Sequence, residues 1–127
     1  MHTDNHIYGV AKNPFDSERS CGGSSGGDAG MVGSKCVPFA IGSDIGGSIR
    51  GPAGFNNTVA FKPTAHRMSL DGNIIGTKSL DCPQTIIRST PGPYGNSVDD
   101  VVLGMKSFFV KKHFDLDYTV TPIEFRN

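Results

Sequence analysis

At 127 residues and 13.5 kDa, the chain has the length of a single domain. Twelve basic residues balance twelve acidic ones, and a net charge of zero gives no support for a nucleic-acid stripe or a polybasic membrane patch. Seventeen glycines are near twice the usual share of about 7%, so many positions serve backbone geometry.

Residues 1–20 are polar, with Asn13-Pro14 as a turn signal. The opening MHTDNHIYGV lacks the basic start and apolar centre of a signal peptide, and no run of 18 apolar residues could form a transmembrane helix. Cys21, Cys36 and Cys82 fit neither a disulfide framework nor a zinc ribbon and read as reduced intracellular thiols. Residues 21–34, CGGSSGGDAGMVGS, are the densest glycine stretch. Residues 37–41 form a strand-length apolar run, followed by a second glycine turn over 42–48. The sequon Asn56-Asn57-Thr58 reads as chance. Residues 58–61 are a strand candidate stopped by Lys62-Pro63. Residues 62–96 hold Pro63, Pro83, Pro91 and Pro93 and read as loop with short strand pieces; segments 1–20 and 70–96 are expected to be least ordered. A helix starts at Ser97, an N-cap with Asp100 three residues on. Val98, Val101, Val102, Met105, Phe108 and Phe109 keep helical spacing as a core stripe, and Lys111 and Lys112 close its last turn. Pro122 argues for an extended exit. No repeat and no interdomain linker is visible.

Two serine-bearing glycine loops carry the candidate chemistry: Gly22-Gly23-Ser24-Ser25-Gly26-Gly27 and Asp44-Ile45-Gly46-Gly47-Ser48-Ile49-Arg50. Without Cβ atoms, backbone N–H groups can approach an oxyanion or a phosphate closely. Either loop alone could be a tight turn. A Walker phosphate loop needs Gly-Lys followed by Ser or Thr, and Lys35 has neither neighbour. A nucleophile elbow matches Gly22-Gly23-Ser24-Ser25-Gly26, but it needs an apolar strand before it; Asp16-Ser17-Glu18-Arg19-Ser20 cannot be a buried parallel strand. His66 and His113 lack a triad signature.

Taken together, the two loops, their serines 24 residues apart, and Phe61-Lys62-Pro63-Thr64 resemble the amidase signature family of serine hydrolases. Asn13-Pro14, Arg67-Met68-Ser69 and the stretch from Phe114 to Pro122 are similar to its fatty acid amide hydrolase branch. The resemblance implies an α/β fold, a mixed sheet flanked by helices, with residues 1–127 a fragment of a single amidase signature domain. It implies Ser48 as the nucleophile that forms an acyl-enzyme. Ser24 would be the proton-relaying serine, preceded by a cis peptide and followed by a helix after Ser25. The backbone N–H groups of Ile45, Gly46, Gly47 and Ser48 would form the oxyanion hole, with Ser25, Asp44 and Arg50 as supporting residues. No metal or cofactor is implied.

The family's third catalytic member is a neutral lysine several dozen residues before the relay serine. Lys12, the sole lysine before Ser24, stands in the wrong context, so the catalytic lysine is read as missing and the 127 residues alone as inactive. Gly92-Pro93-Tyr94-Gly95-Asn96-Ser97-Val98 departs from the family's Gly-Pro-Met-Ala-Arg-Ser-Val, and Asp28 replaces the commoner glutamate. The implied substrate is a small-molecule carboxylic amide, with a fatty acyl amide first. A small amide, a glutaminyl donor, and a non-catalytic remnant or truncated gene product are the alternatives. No nucleic-acid partner is expected. The implied location is intracellular, cytoplasmic or on a membrane surface. The resemblance also allows membrane association of a longer protein.

Overall fold

The computed structural model describes residues 1–73 and 87–126; Cys82 and Pro83 lie outside them. The fold is α/β, with short antiparallel sheets flanked by helices. Two hairpins open the chain. β1 (Asp4–Asn5) pairs with β2 (Gly9–Val10), and β3 (Lys12–Asn13) with β4 (Asp16–Ser20). Asn13 makes the turn between the latter two: its Oδ1 accepts the N–H of Phe15 at 2.9 Å, a local bond to which asparagine is suited. β4 is polar, antiparallel and mostly exposed, not the buried parallel strand an elbow requires.

Helix α1 (Gly26–Gly33) follows the first glycine loop, as expected. The next strand does not fall on residues 37–41. β5 runs from Ala40 to Asp44, into the stretch read as a turn. Gly42 is there for contact rather than for turning: a Cβ on it would lie 2.7 Å from both Ser25 Oγ and Tyr94 Cε2. Helix α2 (Arg50–Phe55) and the short β6 (Val59–Ala60) come next.

The largest departure from the sequence reading is β7 (Thr90–Gly95), buried at every residue. It is the central strand of a β5-β7-β6 sheet, where loop was expected. Prolines are normally confined to sheet edges, because they lack an N–H for the ladder. Here the alternation of an antiparallel strand resolves the conflict. Pro93 C=O accepts the N–H of Phe61 at 3.0 Å, so Pro91 and Pro93 face the β6 side. Thr90, Gly92 and Tyr94 face β5, opposite Asp44, Gly42 and Ala40. The missing donors of Pro91 and Pro93 therefore fall on the β6 side, where β6 itself is only two residues long, and the ladder with β5 is intact. Gly92 is equally constrained. A Cβ there would sit 2.1 Å from Phe61 O and 3.0 Å from Ile49 Cδ1. Gly92→Ala should therefore displace the central strand and cost about 3 kcal/mol. Gly51→Ala in α2, where a Cβ meets nothing within 4 Å, should be neutral or slightly stabilising. Urea melts of both variants check this; equal midpoints would refute it.

Helix α3 (Val98–Phe108) has the expected capping box, Ser97 Oγ with Asp100 N–H and Asp100 carboxylate with Ser97 N–H. It ends earlier than the spacing suggests. Lys111 and Lys112 open a separate helix, α4 (Lys111–Leu116), after an extended Val110. Of the predicted stripe, Val101, Met105 and Phe109 are buried, whereas Val98 is exposed. Among the described residues, two apolar clusters result. Ala29, Val32, Ile49, Ala53 and Tyr94 pack beneath the glycine loops. Met68, Met105 and Phe109 pack under α3, with Phe114 and Phe125 at the margin.

Candidate active site

Ser25 occupies the N-cap of α1 but makes no side-chain cap bond. Its hydroxyl is committed elsewhere. Oγ accepts the N–H of Ser43 and donates to the Ser43 carbonyl, both at 3.2 Å. Its own N–H donates to the Ser48 carbonyl at 3.2 Å. The two glycine loops are thus bonded main chain to main chain, and Ser24 and Ser48 stand on neighbouring stretches of backbone. Ser24 is exposed, Ser48 is largely buried, and the Gly23–Ser24 peptide is cis.

Asp44, fully buried at the end of β5, clasps the second loop. Oδ1 accepts the Gly47 N–H at 2.8 Å and Arg50 Nη2 at 2.9 Å. Oδ2 accepts the N–H of Ile49 at 3.0 Å, Arg50 N–H at 3.3 Å and Arg50 Nε at 3.0 Å. Burial alone would push this carboxyl up. The Arg50 guanidinium and three backbone donors outweigh burial and hold it well below the usual carboxylate range.

This clasp alters the expected donor set. Gly47, at φ +120°, turns its N–H to Asp44. Among the described residues, no acceptor faces the N–H of Ile45, Gly46 or Ser48. A Cβ on Gly46 or Gly47 would meet nothing within 4 Å, which leaves the loop open to an incoming carbonyl oxygen.

Two contributors were not recognised in the sequence. Tyr94, a departure from Met in the sequence comparison above, is fully buried and directs its hydroxyl at the second glycine loop. Oη lies 2.8 Å from Ile49 O and 3.3 Å from Ser48 O, and its single proton is shared between them. Burial, reinforced by the carboxylates of Asp28 and Asp44, raises its pKa well above the ordinary tyrosine value, so it stays a donor. Asn56, also fully buried, donates from Nδ2 to Cys21 O and Pro52 O, both at 2.8 Å. It therefore ties the first loop to α2, and with that nitrogen engaged it is no glycan acceptor. Neither residue leaves a periodic signal; only an alignment of contacts in space exposes them.

A polar recess of about 260 Å³ opens beside Ser24, with Ser25, Asp28, Ser43 and Asn73 on its walls. Burial raises the Asp28 carboxyl above its ordinary value. His66 and His113 are engaged away from it. His66 Nδ1 lies 3.2 Å from Thr119 O and 3.1 Å from Arg88 Nη1, and His113 Nε2 accepts the Ser69 N–H at 3.1 Å. Lys12 is exposed in β3, and among the described residues no lysine bonds to Ser24. Among those residues, no helix is long and apolar enough to cross a membrane.

The family model described as Amidase matches residues 1–127. A glutamyl-tRNA(Gln) amidotransferase chain of Natranaerobius thermophilus is 41% identical over 125 residues, 98% of this chain and 23% of the relative. Fatty-acid amide hydrolase 1 of Sus scrofa is 35% identical over 124 residues, 95% of this chain and 20% of the relative. A solved structure of a fatty acid amide hydrolase superposes with a TM-score of 0.86 at 35% identity, over 99% of this chain and 22% of the other. The chain thus spans about a fifth to a quarter of the length of these three proteins.

Proposed function

The chain belongs to the amidase family, and on that premise we propose that it is the serine-bearing part of one amidase signature domain that hydrolyses a carboxylic amide through an acyl-enzyme. Ser48 Oγ attacks the amide carbonyl, and the tetrahedral oxyanion is held by backbone N–H groups of the 45–48 turn. Because the Gly47 N–H is engaged by Asp44, the reading places most weight on Ile45, Gly46 and Ser48. Ser24 takes the proton from Ser48 and returns it to the leaving amine. Water then releases the acid. The base that takes the proton from Ser24 is a lysine supplied outside these residues.

The observation that carries the reading is the bond from Ser25 N–H to the Ser48 carbonyl. It joins the two serine loops in the absence of any sequence proximity. For the acyl group we propose a fatty acyl chain, supported by the relative from Sus scrofa and the superposed structure. The amidotransferase relative is more nearly identical in sequence, so the substrate needs its own test.

The test is a chimera in which residues 1–127 replace the matching stretch of the Sus scrofa enzyme, which supplies the rest of the domain. Hydrolysis of a long-chain acyl anilide is expected, exceeding that of the acetyl anilide. The 127 residues alone should give none. A folded but inactive chimera, or turnover by the isolated chain, would overturn the assignment of chemistry; preference for the acetyl anilide would overturn only the fatty acyl substrate.

A further inference from the structure

We infer that Thr3 is a positioning residue that fixes the backbone on which Ser24 stands. This rests on the reading of Ser24 given above. Thr3 belongs to the polar opening segment and lies 21 residues from Ser24 in sequence. Its hydroxyl is nevertheless at the centre of the first glycine loop. Oγ1 lies 3.0 Å from Gly22 O and 3.1 Å from Ser24 O, and accepts the Gly26 N–H at 2.9 Å. A hydroxyl has one proton and two lone pairs, so the donor is shared between the carbonyls on either side of the Gly23–Ser24 peptide while the acceptor side holds the helix.

The reason lies in Ser25. The first N–H groups of a helix need acceptors, and an N-cap serine normally supplies one. The Ser25 hydroxyl is instead spent on Ser43, where it binds the first loop to β5. Gly26, the first residue of α1, is left to Thr3. The contact is close as well as polar: a Cβ on Gly26 would lie 2.5 Å from Thr3 Oγ1, and one on Gly23 2.6 Å from His2 C and O. Residues 2 and 3 therefore form a floor against Gly23 and Gly26, where a Cβ would collide with them. A second tie holds this floor, Ala11 N–H to Thr3 O at 2.9 Å. With Gly22 O and Ser24 O both bound by Thr3, the serine is presented by main chain anchored within these residues.

The test compares Thr3→Val, which keeps the shape and removes the hydroxyl, with Thr3→Ser, which keeps the hydroxyl. The readout is residue-resolved amide hydrogen exchange on the full 127-residue chain, which needs no catalysis. Thr3→Val should speed exchange at Gly26 about three- to tenfold, the worth of one net hydrogen bond, with β5 and α3 amides unchanged. Thr3→Ser should restore the wild-type rate at Gly26. Unchanged exchange at Gly26 in Thr3→Val overturns the inference, as does a Thr3→Ser variant that exchanges as fast as Thr3→Val. Loss of protection spread evenly over β5 and α3 also overturns it, since Thr3 would then serve folding in general. In the chimera, Thr3→Val should lower kcat with KM little changed. A chimera that never hydrolyses amides, with the exchange pattern as expected, would leave Thr3 as the anchor of this backbone and remove only the chemistry assigned to Ser24.

Discussion

Ser48→Ala in the chimera should lower amide hydrolysis by roughly 10,000-fold or more, because the covalent route is lost outright. Ser24→Ala should cost less, about 100- to 10,000-fold, the usual range for removing a positioned proton-transfer group. Both losses should fall on kcat. Neither side chain oxygen takes part in a hydrogen bond that holds the loops among the described residues; those bonds use the Ser48 carbonyl, the Ser25 N–H and the Ser25 hydroxyl. Melting midpoints should therefore stay near that of the parent chimera. Initial rates with an acyl anilide, together with a thermal melt of each variant, check the pair. A Ser48→Ala chimera that retains a tenth of the parent rate would remove Ser48 from the nucleophile role. A fully active Ser24→Ala chimera would remove the relay and leave the nucleophile standing.

Asp44→Ala should destabilise the chain by about 3 kcal/mol. It strips the acceptor from three backbone N–H groups, each worth about 1–3 kcal/mol when left unsatisfied, and the exposed part of the turn regains water. Arg50→Ala should cost less than Asp44→Ala, since its side chain is 60% exposed and the pair is partly screened. Acid should erase part of the Asp44 contribution. Its folded-state pKa is held below the ordinary value of 3.8, so the unfolded chain takes up a proton first as pH falls. The stabilisation is fully present above the ordinary carboxylate range and declines from about pH 4 downward, through the folded value. Asp44→Asn, which cannot ionise, lacks this term. Urea melts should show the gap between wild type and Asp44→Asn narrowing from pH 6 to pH 2. A constant gap would mean that the charge on Asp44 contributes nothing to stability.

What the sequence determined by itself was local or carried by ordered motifs. The α3 N-terminus was legible because Ser97 and Asp100 satisfy each other's backbone within one turn. The turn at Asn13-Pro14 is likewise made by neighbours. The two glycine loops, with Phe61-Lys62-Pro63-Thr64, were enough for the family. Tertiary structure decided what depends on residues far apart in the chain. Thr90–Gly95 looks like loop because two prolines stand in it, and only its neighbours show which side of the strand lacks donors. The tyrosine at position 94 reads as an oddity until its hydroxyl is seen against Ile49 O. The resemblance implies Gly47 as an oxyanion donor, and nothing in the order of residues says that its N–H is taken by Asp44. Thr3 carries no signal in a polar segment, because the partners of its hydroxyl begin 19 residues away. Periodicity and spacing report what a residue does within one turn of helix or one strand; the direction of an N–H and the partner of a buried hydroxyl are set by which distant backbone arrives beside them.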